Sequence, residues 1–172
     1  MLRVKNQQTA LEEFRSLQPI APHEMVGLWK GHGIPTEHPF DGVLENLGWF
    51  GKRFTPDMRA DALLFRSGDW RLVAIDPKWI PLRLALRFYK IGRTRVARNL
   101  FSYLQRRLRA SGPVASVKTT VFGGVESAAM VYDDQPIIDH FRRIDAVRIM
   151  GAMIIKGEER IYFFELSRVE GP

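Results

Sequence analysis

Gly27-Leu28-Trp29-Lys30-Gly31-His32-Gly33 sets one tryptophan among three glycines of the same parity. On an extended strand, residues two apart share a face, so Trp29 stands on a face that Gly27, Gly31 and Gly33 leave bare. Such a face bends sharply. That suits a first strand entering a closed barrel, with the indole plugging one end and the glycines yielding to neighbouring backbone. The residues also fit an ordinary strand with a buried Trp and a glycine-rich exit turn. They do not fit a phosphate cradle, because neither the G-x-x-x-x-G-K-[ST] nor the G-x-G-x-x-G spacing is present and no apolar strand precedes them.

Outward from this strand, strand signals resume at Gly48-Trp-Phe-Gly-Lys-Arg-Phe54 after a loop (34–42) and a short helical segment (43–47). Residues 62–66 and 71–75 make a hairpin around Ser67-Gly68-Asp69, closed by Asp76-Pro77. In the last third, 116–122 and 125–132 flank Gly123-Gly124, a two-residue hairpin signal, and place Val117, Val121, Met130 and Tyr132 on the inner face. Stretches 137–144, 148–155 and 161–168 continue the meander. About nine strands result, and rolling them into a barrel removes the edges of so large a sheet.

Between these halves the period changes from two to about 3.6. Pro81 suits a first helical turn, Gly92 a C-terminal cap, Thr94 a fresh N-cap and Ser111-Gly112-Pro113 a stop, which gives two helices. In the second, Val96, Leu100, Phe101, Leu104 and Leu108 form an apolar stripe. Thr9 and Glu12 have capping-box spacing at the start of an N-terminal helix. The expected layout is a single domain over 1–172: an N-terminal helix (8–18), first barrel strands (25–76), a helical insertion (79–111) and the meander (114–168).

The chain has 172 residues, 45% of them hydrophobic and 26% charged, which suits one well-cored domain and excludes disorder. No apolar run approaches the roughly 20 residues of a membrane span. The first residues lack the apolar core of a secretory leader, so a cytoplasmic location is expected. With no cysteine there is no disulfide, thiolate nucleophile or cysteine-based metal site. The net charge is +7, yet residues 83–109 alone carry nine Lys or Arg and no acid, so the other residues together carry −2. The basicity is local.

Several blocks resemble the bacterial GXWXG-domain family of unknown function, whose C-terminal half is a second uncharacterised region. They are Gly27-Leu-Trp-Lys-Gly31, His38-Pro-Phe-Asp-Gly42, Gly48-Trp-Phe-Gly-Lys52, Ala74-Ile-Asp-Pro77 and the stretch from Ala129 to Arg143. The resemblance spans Leu11 to Arg168 and brings no settled activity. The Gly-x-Trp-x-Gly element is also similar to the first strand of calycins: lipocalins, fatty-acid-binding proteins and nitrobindin-like haem barrels. The expected fold is therefore mainly β, an antiparallel calycin-like barrel of about nine strands with an N-terminal helix and a two-helix basic insertion. That insertion departs from the minimal calycin, and the absence of any His after His140 departs from the haem-ligating pattern of nitrobindin-like barrels.

Four histidines are present. His32 has the parity opposite Trp29 and His23 sits in a loop, so neither is a candidate. On the strand 137–143, alternation groups Ile138, His140 and Arg142 against Ile137, Asp139, Phe141 and Arg143. Adjacent residues point apart, so Asp139 cannot orient His140. A two-residue turn before the next strand pairs His140 with Gly151, a three-residue turn shifts the register by one, and the expectation is His140 and Arg142 inward. A buried imidazole and guanidinium must then be paired or solvated, which marks a polar ligand site, although bonds to backbone or to Asp133 and Asp134 would serve as well. His38 and Asp41 lie in a Pro-bracketed loop with Lys52 on the next strand, an acid–base or anion-binding arrangement. Asp41 could instead cap the helix at Val43, and Asp76 reads as a turn residue. No metal-ligand spacing is present, and no metal or cofactor is expected. Arg160-Ile-Tyr162 is similar to the Arg-x-Tyr pair with which fatty-acid carriers hold a carboxylate, but Arg160 reads as solvated.

These residues lead to a carrier barrel for a hydrophobic molecule with an anionic head group, such as a fatty acid or phospholipid. His38, Lys52, His140 and Arg142 would meet the head, and Trp29, Val117, Met130, Tyr132 and Phe164 would shape the cavity. Arg83, Arg87, Phe88, Lys90, Arg95 and Arg98 would form a lid or dock on anionic membrane; nucleic acid is disfavoured because no reading motif is present. The alternatives are a small-molecule enzyme with His140, Asp41 and Lys52 as its acid–base groups, and a haem-binding barrel. The residues leave open whether any reaction is catalysed.

Overall fold

The computed structural model describes residues 6–171. Residues 1–5, read above as lacking a leader's apolar core, lie outside the described residues. Helix α1 (Gln7–Ser16) precedes strand β1 (Gly27–Gly33), then come α2 (Val43–Asn46), β2 (Trp49–Phe54), β3 (Arg59–Ser67) and β4 (Arg71–Ala74). Helices α3 (Leu82–Arg87), α4 (Tyr89–Gly92) and α5 (Arg95–Leu108) lead into the meander β5 (Ala115–Phe122), β6 (Val125–Tyr132), β7 (Ile137–Arg143), β8 (Arg148–Ile155) and β9 (Tyr162–Arg168). The strands run β2-β1-β9-β8-β7-β6-β5-β3-β4, and β2 also pairs with β3. That last pairing closes eight antiparallel strands into a barrel, with β4 as an extra strand on β3.

The glycines of β1 do what their parity implies. Trp29 is buried inside the barrel, and a Cβ on Gly31 would lie 2.4 Å from the ring of Trp49. Curvature at this corner comes from two compensating bulges. The β2–β3 register slips by one residue at Phe50-Gly51 and slips back at Ala62-Leu63. Gly51 has φ +153, and a Cβ there would lie 1.9 Å from the Trp29 carbonyl oxygen. The bulge brings Trp49, Lys52 and Phe54 to the interior together, although strict alternation would separate Trp49 from the other two.

Beyond the barrel wall, α1 covers a second apolar patch in which Ala10 and Phe14 pack on Met150, Ala152 and Phe163. Its N-cap is Asn6, whose side chain accepts from the Thr9 amide at 2.7 Å, so the helix starts before the Thr9–Glu12 box. The Thr94 cap and the Gly123-Gly124 hairpin, with both glycines at positive φ, form as their residues imply.

The helical insertion breaks in one further place, at Phe88 (φ −108, ψ 28), giving three segments rather than two. Its ends are zipped together. Ile75 bridges to Arg109, and the Asp76 amide donates to the Leu108 carbonyl. The insertion thus leaves and rejoins the barrel at one point, where β3 pairs with β5 through Arg59 and Ala60 only and then diverges to β4. The expected apolar stripe of α5 splits: Phe101 and Leu108 pack on the barrel core, whereas Val96 and Leu100 face outward.

Candidate ligand site

Register decides which side chains enter the barrel. The β7–β8 turn is the three-residue alternative, Asp145-Ala146-Val147, with the Asp145 carboxylate accepting from the amides of Val147 and Arg148. His140 therefore pairs with Ala152 and Asp139 with Met153, and Ile137, Asp139 and Phe141 face inward. The expectation that His140 and Arg142 point inward is corrected. Both lie outside the barrel wall, beneath α1 and the end of β5. Arg142 lies 5.4 Å over the ring of Phe14 and donates to the Phe122 carbonyl at 3.0 Å. His140 stacks on Phe122 and contacts the Thr120 hydroxyl, and desolvation lowers its pKa. A head-group or acid–base role for His140 inside the barrel fails with that placement.

Inside, three strands bring together Lys52, Tyr132 and Asp139. The Lys52 ammonium lies 2.9 Å from Asp139 Oδ2 and donates to the Ala62 carbonyl at 2.9 Å and the Tyr132 hydroxyl at 3.3 Å. Tyr132 donates to the same carboxylate oxygen at 3.3 Å. Rings of Phe164, Tyr132 and Trp49 surround the ammonium at 5.2–5.9 Å. Burial, followed by the charge of Asp139, pushes the Tyr132 phenol well above its ordinary range, so it stays protonated. Asp139 Oδ1 is buried and has no hydrogen-bond partner.

Above this cluster lies an apolar cavity of about 140 Å³. Its walls come from the α2 region (Phe40, Leu44), β3 (Leu63, Phe65), α3 (Leu82, Ala85), α5 (Phe101) and the barrel floor (Tyr132, Ile137, Met153). Tyr132 carries the one hydroxyl among these lining residues and links the cavity to the ion pair. On the other side of α3 runs an open groove of about 840 Å³ that shares Ile80 and Leu82 with the cavity wall. The start of α3 is thus the partition between cavity and solvent. Of the residues expected to shape the cavity, Tyr132 does so. Met130, Phe164 and Val117 fill the barrel core beneath it, and Trp29 closes the opposite end, its indole donating to the Met25 carbonyl at 2.6 Å under the Arg168 guanidinium.

The His38–Asp41 loop forms a separate group. Asp41 does not cap α2. Its carboxylate accepts from the amides of Thr36 and His38, both at 2.9 Å, because the loop folds back on itself before α2 begins. The His38 ring accepts from the Phe40 amide through Nδ1 and meets the Tyr162 ring at 5.5 Å. Desolvation lowers the His38 pKa to about 4 and raises that of Asp41. Buried atoms without a partner among the described residues recur here: Asp41 Oδ1 and Tyr162 Oη. Asp76 is the turn residue its position implies, accepting from the Lys78 amide, and Arg160 is held by Glu158 at the surface. No group of three or more metal-ligating side chains forms among the described residues. Arg83, Arg87, Phe88, Lys90, Arg95 and Arg98 are all exposed on the outer side of the helical insertion. Among the described residues, no helix is long and apolar enough to cross a membrane.

Sequence reasoning discarded Asp139 as a partner for His140 and so missed it as a partner for Lys52. The alternation Ile137, Asp139, Phe141 was the available signal, an inward apolar set with one acid inside it.

Residues 12–69 match the family described as GXWXG protein, and residues 113–168 match a domain of unknown function (DUF4334). The stretch between them, 70–112, holds β4 and the helical insertion. Neither match is to a calycin family. No curated protein matches the chain. A crystal structure of a protein from Thermomonospora curvata is 28% identical, with a TM-score of 0.70 over 96% of this chain and 88% of that one. The two matches flank the helices and take in most of the barrel, including the Trp29 strand and the Asp139 strand: the chain carries a GXWXG region followed by a DUF4334 region.

Proposed function

We propose that the barrel is a binding protein for a small, neutral, largely apolar molecule held under the helical insertion. The observation that carries this reading is the roughly 140 Å³ apolar cavity, with a hydroxyl at its floor. An engineered cavity of about 150 Å³ holds benzene, so the space suits about one ring. A porphyrin is far too large. A long acyl chain requires the lid to lift. The anionic head group expected from the sequence loses its partners, because His140 and Arg142 lie outside and Lys52 is already matched by Asp139. A ligand carbonyl or hydroxyl would instead meet Tyr132.

Calorimetric titration with indole, cyclohexanol and decanoate tests the proposal, using Ala85→Phe to fill the cavity. Neutral ring compounds should bind the native protein and lose binding in A85F while its melting temperature holds. Preference for decanoate would contradict the proposal.

A second reading rests on the unpartnered Asp139 Oδ1. Tyr132 lines the cavity and Asp139 lies behind it, accepting from its hydroxyl: if the phenol turned its O–H to a ligand carbonyl, the Asp139 carboxylate released behind it would be the base for a proton on the neighbouring carbon. Exchange of the α-hydrogens of cyclohexanone in deuterated water, followed by NMR, reads this out. Catalysed exchange abolished by Asp139→Asn supports the reading, and no catalysed exchange removes it.

A further inference from the structure

The insertion that roofs the cavity has a second face, and that face carries half of the large hydrophobic side chains exposed among the described residues. Among the described residues, every exposed hydrophobic side chain larger than valine lies between residues 70 and 103. Leu84, Phe88 and Ile91 stand out from α3 and α4, Leu100 and Tyr103 from α5, and Trp70, 96% exposed, from the β3–β4 turn. This turn adjoins α5, since Gln105 donates to the Arg66 carbonyl. Isolated exposed apolar residues are ordinary, but their confinement to one segment is the mark of an interaction surface.

The same segment carries the nine cations of 83–109, all exposed. None of the nine pairs with a carboxylate among the described residues. Arg93 reaches the Pro39 carbonyl, and Arg87 and Arg93 lie over Phe88 and Tyr89. Arg95 and Arg98 stand in the first turns of α5, where no acid offsets them, although positive charge there opposes the helix dipole. A purely structural helix gains nothing from that placement. On α5, Leu100 and Tyr103 make a strip at helical spacing, with Arg95 and Arg98 before it in the chain and Arg106 and Arg107 after it, while Phe101 and Leu108 bind the barrel. A short helix with a projecting apolar strip between cations fits the boundary of an anionic bilayer, where the charges meet lipid phosphates and the apolar tips enter the acyl region.

We propose that the outer face of α3–α5, with Trp70 beside it, docks this protein on anionic membrane and sets the roof of the cavity against the lipid. The surface does not depend on what the cavity holds, so the test needs no ligand. Vesicles of phosphatidylcholine, with and without phosphatidylglycerol, are sedimented with the full chain. Binding should require phosphatidylglycerol and weaken with salt. R95E with R98E should lower partitioning at least about 25-fold, since each cation at such a surface contributes about fivefold. L100S with Y103S, both already exposed, should lower it by a similar factor with circular dichroism unchanged. Equal binding to both vesicles, no binding to either, or no effect of L100S/Y103S would overturn the proposal. So would arginine-dependent retention of an RNA duplex by a protein that ignores the vesicles, which would make the face a nucleic-acid surface.

Discussion

Lys52 and Asp139 are two charges removed from water, and each needs the other. Loss of one leaves its partner buried and uncompensated, which costs about 3–5 kcal/mol, whereas replacing both with apolar groups is often close to neutral. Lys52→Met should therefore destabilise by about that amount in urea unfolding, and Lys52→Met with Asp139→Leu should recover most of the loss. Equal costs for the single and double variants would show that the pair does not act as a unit. His38 gives a pH signature. Its folded pKa of about 4 lies below the ordinary imidazole value of 6.5, so the unfolded chain binds the proton more readily between those values. The stability attached to keeping it neutral is complete above about pH 6.5 and lost as pH falls through about 4. The span corresponds to about 3 kcal/mol. His38→Gln should flatten the stability profile in that window, and an unchanged slope would contradict the burial of the ring. Neither role was readable from sequence. Lys52 and Asp139 lie 87 positions apart on strands that meet only after the barrel closes, so alternation can put Asp139 in an apolar set but cannot name Lys52 as its partner.

At the scale of elements, β1 and β2 interlock by omission: the missing Cβ of Gly31 holds the Trp49 ring, and that of Gly51 makes room for the Trp29 carbonyl. Gly51→Ala places a carbon against backbone that cannot move without opening the sheet, at a φ that alanine rarely adopts. It should cost more than about 3 kcal/mol, or prevent folding. A soluble G51A protein with near-native melting temperature would contradict the bulge. The glycine pattern was legible because parity on one strand is local information. The face of β7 was not. On most strands one side meets solvent, but α1 buries the outer side of β7 with Phe14, so both of its residue sets are buried and contain both apolar and charged members. The helix signal Thr94 was sound, Gly92 is the last residue of α4 and leaves the cap to Arg93, and the break at Phe88 has no proline or glycine of its own to announce it.

For the whole molecule, the sequence separates two kinds of surface. Strands supply a closed container, and the insertion at residues 75–109 supplies a roof that is apolar below and cationic above. The count of strands and the local charge were visible from residues alone. The size of the cavity was not, because it depends on how far Leu82 and Phe101 reach toward Leu63 and Tyr132 once the two halves pack. That space is the centre of the account. Xenon enters dry apolar cavities of this volume, so a crystal pressurised with xenon reads it directly. The account predicts one ordered xenon between Leu63, Phe65, Phe101 and Tyr132, absent in Ala85→Phe. Side chains filling that position with no xenon bound would contradict it.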